Sequence, residues 1–383
     1  MNLSSKRCWA EIDLSALRHN VTAIHGRLGS AGIMAIVKAN AYGHGALPVV
    51  KELAPLVAAF GVANLAEAIQ IAEIAGVVVP TRIHILGTAL PDERAEIARR
   101  GFIPVISSPE EAIAFERLAG HDPLEVTVAI DTGMGRIGLD EKDVLTPMRE
   151  IAMLPRIKIK TVATHLPVAD EDEPFTAAQL ARFESIIAGL RAAGIRAPFV
   201  HVLNSAGAIT FPGHAFEMAR IGLALYGSSP IDSFQKELRP VMTLKTRITL
   251  VREVPAGHGI SYGRTFITPQ AMRVATLAVG YADGYQRRLS GQGAEVLIRG
   301  RRCPVLGRVT MDQIMVDVTA LPADIAPGEE AVLFGQQKGD EVHAGDLAQK
   351  AGTIPWEIFT GISSRVERIY LHPAAGSGKA SPA

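Results

Sequence analysis

From Ile33 to about Gly227 the chain alternates between two patterns. Short, nearly unbroken apolar runs are followed by longer stretches with apolar residues at helical spacing. The runs read IMAIVKAN, AAFGVAN, RIHILGT, FIPVIS, EVTVAIDT, KTVATH, FVHVLN and MARIGLALYG. Between them lie segments such as ANLAEAIQIAEIAG, LPDERAEIARRG and SPEEAIAFERLAG. Several of these open on a capping residue or Pro and close on Gly. Strands that are apolar at every position are buried on both faces, which requires a parallel sheet under helices. Eight such units over about 200 residues predict a (β/α)8 TIM-type barrel. A doubly wound open sheet is the alternative, and the strand count favours the barrel.

From about Leu238 the helical patterns nearly vanish. Short β-rich runs take over: MTLKTRITLVREV, RVATLAVG, EVLIRG, IMVDV and EAVLF, with Gly and Pro between them. These predict a mostly antiparallel β domain, a sandwich or a distorted barrel, interrupted by one helix at AGDLAQKAG. The expected division is therefore a barrel over 1–237, a mostly-β domain over 238–372 and a disordered tail over 373–383. The first ten or so residues are candidates to pack with the second domain.

Composition narrows the function classes. The 383 residues suit two domains, and 39 Lys+Arg balance 39 Asp+Glu. That balance lacks the basic excess of a nucleic-acid binder. Two cysteines, Cys8 and Cys303, give neither a disulfide framework nor a metal-site spacing. The start, MNLSSKRCWAEID, lacks the apolar core of a secretion signal, and no stretch reads as a membrane span. A soluble, cytoplasmic protein with no metal, membrane or nucleic-acid partner is expected.

A (β/α)8 barrel places its chemistry where strands end and loops begin. Five such ends carry polar residues: Lys38, the Arg136 loop, His165, Asn204-Ser205, and Arg220 with Gly222. Lys38 is the sharpest. Partial burial would lower its pKa and free the amine as a nucleophile, as a Schiff base requires. Alone, it would more often be a solvated strand-end lysine.

Its surroundings change that balance. VKANAYGHG, residues 37–45, resembles the cofactor-lysine motif of alanine racemases along its whole length. Further matches follow in the family's order: DTGMGRIG (131–138), Thr164-His165 with Ala169-Asp170, HVLNS (201–205) and RIGLALYG (220–227). The second domain adds GISYG (259–263), GYADG (280–284) and GRVTMD (307–312). The resemblance runs from about Trp9 to Tyr370, and it implies a fold-type III pyridoxal-phosphate enzyme.

The resemblance also implies roles. Lys38 would carry pyridoxal phosphate and act as base on one face. Tyr262, from the partner subunit of a head-to-tail homodimer with shared active sites, would be the base on the other. A phenol is a weak base near neutral pH unless charge or donors stabilise its anion; by resemblance His165 and Arg220 supply that help. Arg220 would face the pyridine nitrogen and, always charged, would leave that nitrogen largely unprotonated, limiting a long-lived carbanion. Arg136 would touch the phenolic oxygen and the substrate carboxylate, with the Met311 backbone N–H as a second carboxylate donor. Tyr42, Ser205 and backbone amides near Gly222 would hold the phosphate, with Asn204 beside them. Asn204-Ser205 reads equally as a helix cap. Tyr281, with Arg287 and Asp170, would line the substrate passage.

Two positions depart from the family. Some members have a carbamylated lysine bonded to the arginine of the DTG loop; here that position is Ala129, so Arg136 needs another acceptor. Some place a phosphate-binding tyrosine in ISYRV; here the chain reads Ile362-Ser-Ser364-Arg-Val, so Ser364 would substitute or the contact is lost. The expected reaction is interconversion of L- and D-alanine, supplying peptidoglycan synthesis. Turnover of serine or a broader range is the nearest alternative. A pyridoxal-phosphate decarboxylase is disfavoured by Arg220, and a non-catalytic cofactor carrier by the second domain.

Overall fold

The computed structural model describes residues 6–75 and 82–372. Tertiary contacts divide these into two units: Leu17–Ala41 with Ala46–Arg239, and residues 6–16, 42–45 and 240–372. The expected tail, 373–383, lies outside the described residues.

Each apolar run of the first unit supplies one strand: Gly32–Ile36, Ala59–Val62, Arg82–Thr88, Ile103–Ile106, Leu124–Asp131, Ile157–Ala163, Phe199–His201 and Met218–Ile221. Neighbours in sequence pair in parallel, and the eighth strand pairs with the first, from Met218↔Gly32 to Ile221↔Ala35. The Arg220 amide donates to the Leu203 carbonyl, just past the seventh strand, at 2.9 Å. The ring is thus a nearly closed eight-stranded barrel. A doubly wound sheet would leave two free edges; the first-to-eighth pairing removes that alternative. The second, fourth and eighth strands are buried at every position, which is why they read as continuous apolar runs.

The helices start where the sequence places caps. Ser108 accepts from the Glu111 amide ahead of Pro109–Glu116. Asp172 accepts from the Phe175 amide ahead of the long helix Glu173–Ala192. That helix buries Thr176, Gln179, Leu180, Phe183, Ile187 and Leu190, at the three- and four-residue spacing of one face.

In the second unit Met242–Val254, Met272–Leu277, Ile314–Asp317, Arg301–Leu306, Glu295–Ile298 and Glu330–Gln337 pair in that order. Glu330–Gln337 then pairs back onto Met242–Val254, through Leu244↔Phe334 to Arg247↔Glu330. Six antiparallel strands close a ring, the distorted barrel of the two expected forms. Cys8–Asp13 runs antiparallel along Met242–Val254, with Glu367–Leu371 parallel on its far side. Among the elements that escaped the sequence pattern, two show why. Arg301–Leu306 is broken by Arg301, Arg302 and Pro304, and the helix Pro355–Thr360 is too short to show a period. No helix among the described residues is long and apolar enough to cross a membrane.

Candidate active site

The first barrel strand delivers Lys38. The Val37 amide still donates to the Gly61 carbonyl at 2.9 Å; Lys38, next in line, is half-buried. Ala39, Asn40, Ala41 and Tyr42 then take φ of 50°, 55°, 53° and 51°, a left-handed turn that costs roughly 1–2 kcal/mol per residue. Glu67 helps to hold it, accepting the Ala39 and Ala63 amides at 2.8 Å each through its two carboxylate oxygens. The Asn40 side chain accepts the Ala46 amide at 2.8 Å. Gly43 and Gly45 continue with positive φ. A Cβ on Gly43 would collide with the Phe359 carbonyl, and one on Gly45 with the Tyr370 hydroxyl. Burial, helped by the charge of Arg136 and opposed by Glu67, lowers the Lys38 pKa.

The eighth strand carries Arg220 into the barrel mouth, where it is buried. Its Nη2 donates to the carbonyls of Thr164 at 2.6 Å and Val202 at 2.9 Å, and lies 3.1 Å from His165 Nδ1. Its Nη1 donates to the His201 carbonyl at 3.0 Å and contacts His201 Nδ1. All of these partners are neutral, and none is a carboxylate. Burial, with Arg136 second, brings the guanidinium down to about 9, which leaves it a cation at neutral pH. Because guanidinium only donates, both imidazoles accept at Nδ1 and carry their protons on Nε2. Burial first, then Arg220, Arg136 and Lys38, pulls His165 down to about 3; burial and Arg220 hold His201 well below the histidine range. Lys38, Arg136, His165 and Arg220 thus share one electrostatic neighbourhood.

Arg136 is exposed on the loop after the fifth strand. Burial pulls the Asp131 carboxyl up, but donation from the amides of Gly133, Gly135, Met134 and Arg136 more than offsets it and holds the carboxyl below its usual range. Ala129 is buried and pairs with Ala163; it offers Arg136 no acceptor. Asn204 caps Ser205–Thr210, accepting the Gly207 amide at 2.9 Å and donating to the Leu166 carbonyl at 3.1 Å. The Ser205 hydroxyl accepts the Gly222 amide at 3.1 Å. Tyr42 is buried and protonated; burial, opposed by a Trp356 hydrogen bond, raises it to about 12.

The remaining expected residues belong to the second unit. Tyr262, Tyr281 and Met311 are 70%, 41% and 52% exposed. Backbone bonds draw their three motifs together. The Ser261 hydroxyl donates to the Arg308 carbonyl at 2.6 Å. The Tyr281 and Ala282 amides donate to the Thr310 and Met311 carbonyls at 3.0 Å. A Cβ on Gly280 would overlap those two carbonyls, so only glycine lets the loops meet. Ser364 is exposed in this unit, and its neighbour Arg365 bonds Asp312 at 2.8 Å. Arg287 lies in the second unit and Asp170 in the barrel.

Several participants carried no assigned role in the sequence. His201 ends the seventh strand, and the strand-end rule would have flagged it. Gln179 stands on the buried face of the long helix, donating to Thr132 Oγ1 at 2.8 Å and the His165 carbonyl at 2.9 Å. A lone amide at a core position of an amphipathic helix is the signal it left.

Known proteins resemble this chain over nearly its whole length. Residues 12–230 match the family described as alanine racemase, N-terminal domain, and residues 241–370 that described as alanine racemase, C-terminal domain. An alanine racemase of Halothermothrix orenii is 43% identical over 375 residues, covering 96% of this chain and 98% of the relative. The solved alanine racemase of Streptomyces coelicolor A3(2) superposes with a TM-score of 0.87 at 36% identity, over 97% of this chain and 99% of that one. A Bartonella henselae alanine racemase, solved with covalently bound pyridoxal phosphate, superposes at 0.85 with 27% identity, over 96% and 100%.

Proposed function

This chain belongs to the alanine racemase family, and from that premise we propose that it interconverts L- and D-alanine with pyridoxal phosphate, in a homodimer whose active sites take residues from both copies. The observation that carries the reading is a half-buried lysine with a lowered pKa and a buried guanidinium with only neutral partners, both acting on the same imidazole, His165.

The donor set fits the cofactor. Lys38, poised toward its neutral amine, suits an aldehyde. Arg220 has no countercharge among its partners, which suits an acceptor at the barrel mouth and disfavours a decarboxylase-like carboxylate there. The Ser205 hydroxyl, held by the Gly222 amide, suits a phosphate, and by the resemblance the Tyr42 hydroxyl would join it. When bound, pyridoxal phosphate supplies the carbonyl that captures the amino group and the conjugated ring that withdraws electrons from the α-carbon.

The residues do the rest. Lys38 Nζ would take the α-proton as the free amine or return one as the ammonium on one face, and the partner's Tyr262 would take it as the phenolate or return one as the phenol on the other; transfer across both faces inverts the carbon. His165 accepts from Arg220 at Nδ1, so its Nε2–H is the donor available to a phenolate. Arg220 stays charged and does not hand over its proton. Arg136 orients the substrate carboxylate, with the Met311 amide as second donor, and Tyr281 borders the approach. Asn204 supports Ser205 from its capping position. Met311, Tyr262 and Tyr281 stand exposed on the second unit, as residues offered to another copy would. From the reaction we infer a cytoplasmic supply of D-alanine for peptidoglycan.

The test has two arms. Borohydride reduction of the protein loaded with pyridoxal phosphate should fix the label on Lys38, located by peptide mass; an unlabelled Lys38 removes the cofactor assignment. Racemisation assays with L-alanine, L-serine, L-lysine and L-arginine should show alanine fastest; faster turnover of a basic amino acid replaces the substrate.

A further inference from the structure

The loop that presents Arg136 has Ala129 where an anchoring lysine would stand. We propose that Gln179 is a positioning residue that anchors this loop, tying it to the strand ends that carry His165 and Arg220; this rests on the reading above.

Gln179 is fully buried. One atom of its amide lies 2.8 Å from Thr132 Oγ1 and 2.9 Å from the His165 carbonyl. A carbonyl only accepts, so that atom is the nitrogen and the amide orientation is fixed. Thr132 Oγ1 lies 2.7 Å from Thr164 Oγ1. The Thr164 carbonyl accepts from Arg220, Arg220 meets His165 Nδ1, and the His165 carbonyl returns to Gln179. The ring of bonds is closed, and Gln179 is its only member outside the strand ends.

The same helix face holds the loop twice more. Arg182 Nη2 donates to the Thr132 carbonyl at 2.9 Å. Phe175 Cζ lies 3.0 Å from where a Cβ on Gly133 would be, so glycine there admits the ring. Residues 175, 179 and 182 fall on one helical stripe. They grip Thr132–Gly133, where the Asp131 cup begins.

The other amide atom, Oε1, is buried without a hydrogen-bond partner among the described residues. An unpaired buried carbonyl destabilises the fold. Methionine, similar in length, would remove the unpaired oxygen together with the anchoring donor. Global stability and loop anchoring therefore separate in Gln179→Met.

The experiment compares the full-length parent, Gln179→Met, Thr132→Val and the double variant, each loaded with pyridoxal phosphate. Hydrogen exchange by mass spectrometry reads the loop. The amides of Gly133, Met134, Gly135 and Arg136 should exchange about tenfold faster in Gln179→Met, with the melting temperature nearly unchanged. KM for alanine should rise about fivefold, with kcat moving less, as expected when carboxylate positioning is lost. In the double variant the two KM effects should not add, because Gln179 acts through Thr132. Unchanged loop exchange, exchange raised throughout the chain, or strictly additive KM effects would each overturn the proposal. If Gln179→Met does not fold, Thr132→Val alone must show the loop signature. If the parent does not racemise alanine, the functional reading fails, while the exchange data still decide the anchor.

Discussion

The barrel mouth and the exposed edge of the second unit solve opposite problems. At the mouth, Arg220 is buried and bonded to three carbonyls and two imidazoles. Tautomer and charge are set by those neighbours. On the second unit, Tyr262, Tyr281 and Met311 are largely exposed, and their loops are joined through backbone atoms and the absence of a Cβ on Gly280. Side chains whose protonation must be fixed are buried in bonds. The exposed side chains have their backbone held instead.

That contrast is broken most directly at Lys38. Lys38→Ala should reduce alanine racemisation by at least about 10^4-fold with the fold intact, read by polarimetry beside circular dichroism. Tyr262→Phe should cost about 10^2- to 10^4-fold and leave the melting temperature unchanged, since the side chain is exposed. Mixing the two inactive variants after dissociation should restore activity, because one site of each mixed dimer has both intact residues. Activity absent from a verified mixed dimer would place the two residues of one site in the same copy.

The buried side of the contrast is tested by acid. Burial, with Arg82 second, pulls His84 down to about 3, His165 reaches the same value, and His201 lies well below its usual range. Below an ordinary histidine pKa near 6.5 the unfolded chain binds protons that these folded imidazoles refuse. Stability is therefore full above that pH and falls as pH drops through 6.5 toward 3. Three protons give a slope of at most about 4 kcal/mol per pH unit, measured from urea midpoints. A flat profile from pH 7 to 4 would mean these imidazoles are not neutral in the fold.

Smaller effects sharpen the local geometry. Gly43→Ala puts a methyl against the Phe359 carbonyl at φ of 77° and should cost about 1–3 kcal/mol in thermal unfolding. Asn204→Ala removes a cap with both amide groups already used within the fold. It should cost about 1 kcal/mol and change cofactor affinity little. A large loss of affinity in a titration would instead make Asn204 a direct ligand.

The barrel was legible because strands buried on both faces, such as Ala59–Val62, Ile103–Ile106 and Met218–Ile221, leave unbroken apolar runs, and helix caps such as Ser108 and Asp172 punctuate them. Lys38, His165 and Arg220 were legible because strand ends in such a barrel converge. The left-handed turn at 39–42 was not: nothing in Ala-Asn-Ala demands positive φ, and Glu67, which helps to hold it, lies a whole strand away. Gln179 was missed for the same reason, since an amide in a helix announces neither Thr132 nor His165. Arg301–Leu306 escaped because its charges sit on an exposed face while Cys303 and Leu306 stay buried.

The placement of Cys8–Asp13 bears on how the protein is made. This segment precedes the whole barrel in the chain, yet its neighbours, Met242–Val254 and Glu367–Leu371, both follow it. It must wait unpaired while the whole barrel is synthesised. A gene cut between the units near Pro240 would strand it on the wrong fragment, so the carboxy-terminal half expressed alone would expose a bare sheet edge prone to aggregation. A permuted chain that fuses those residues in front of position 240 would remove the wait.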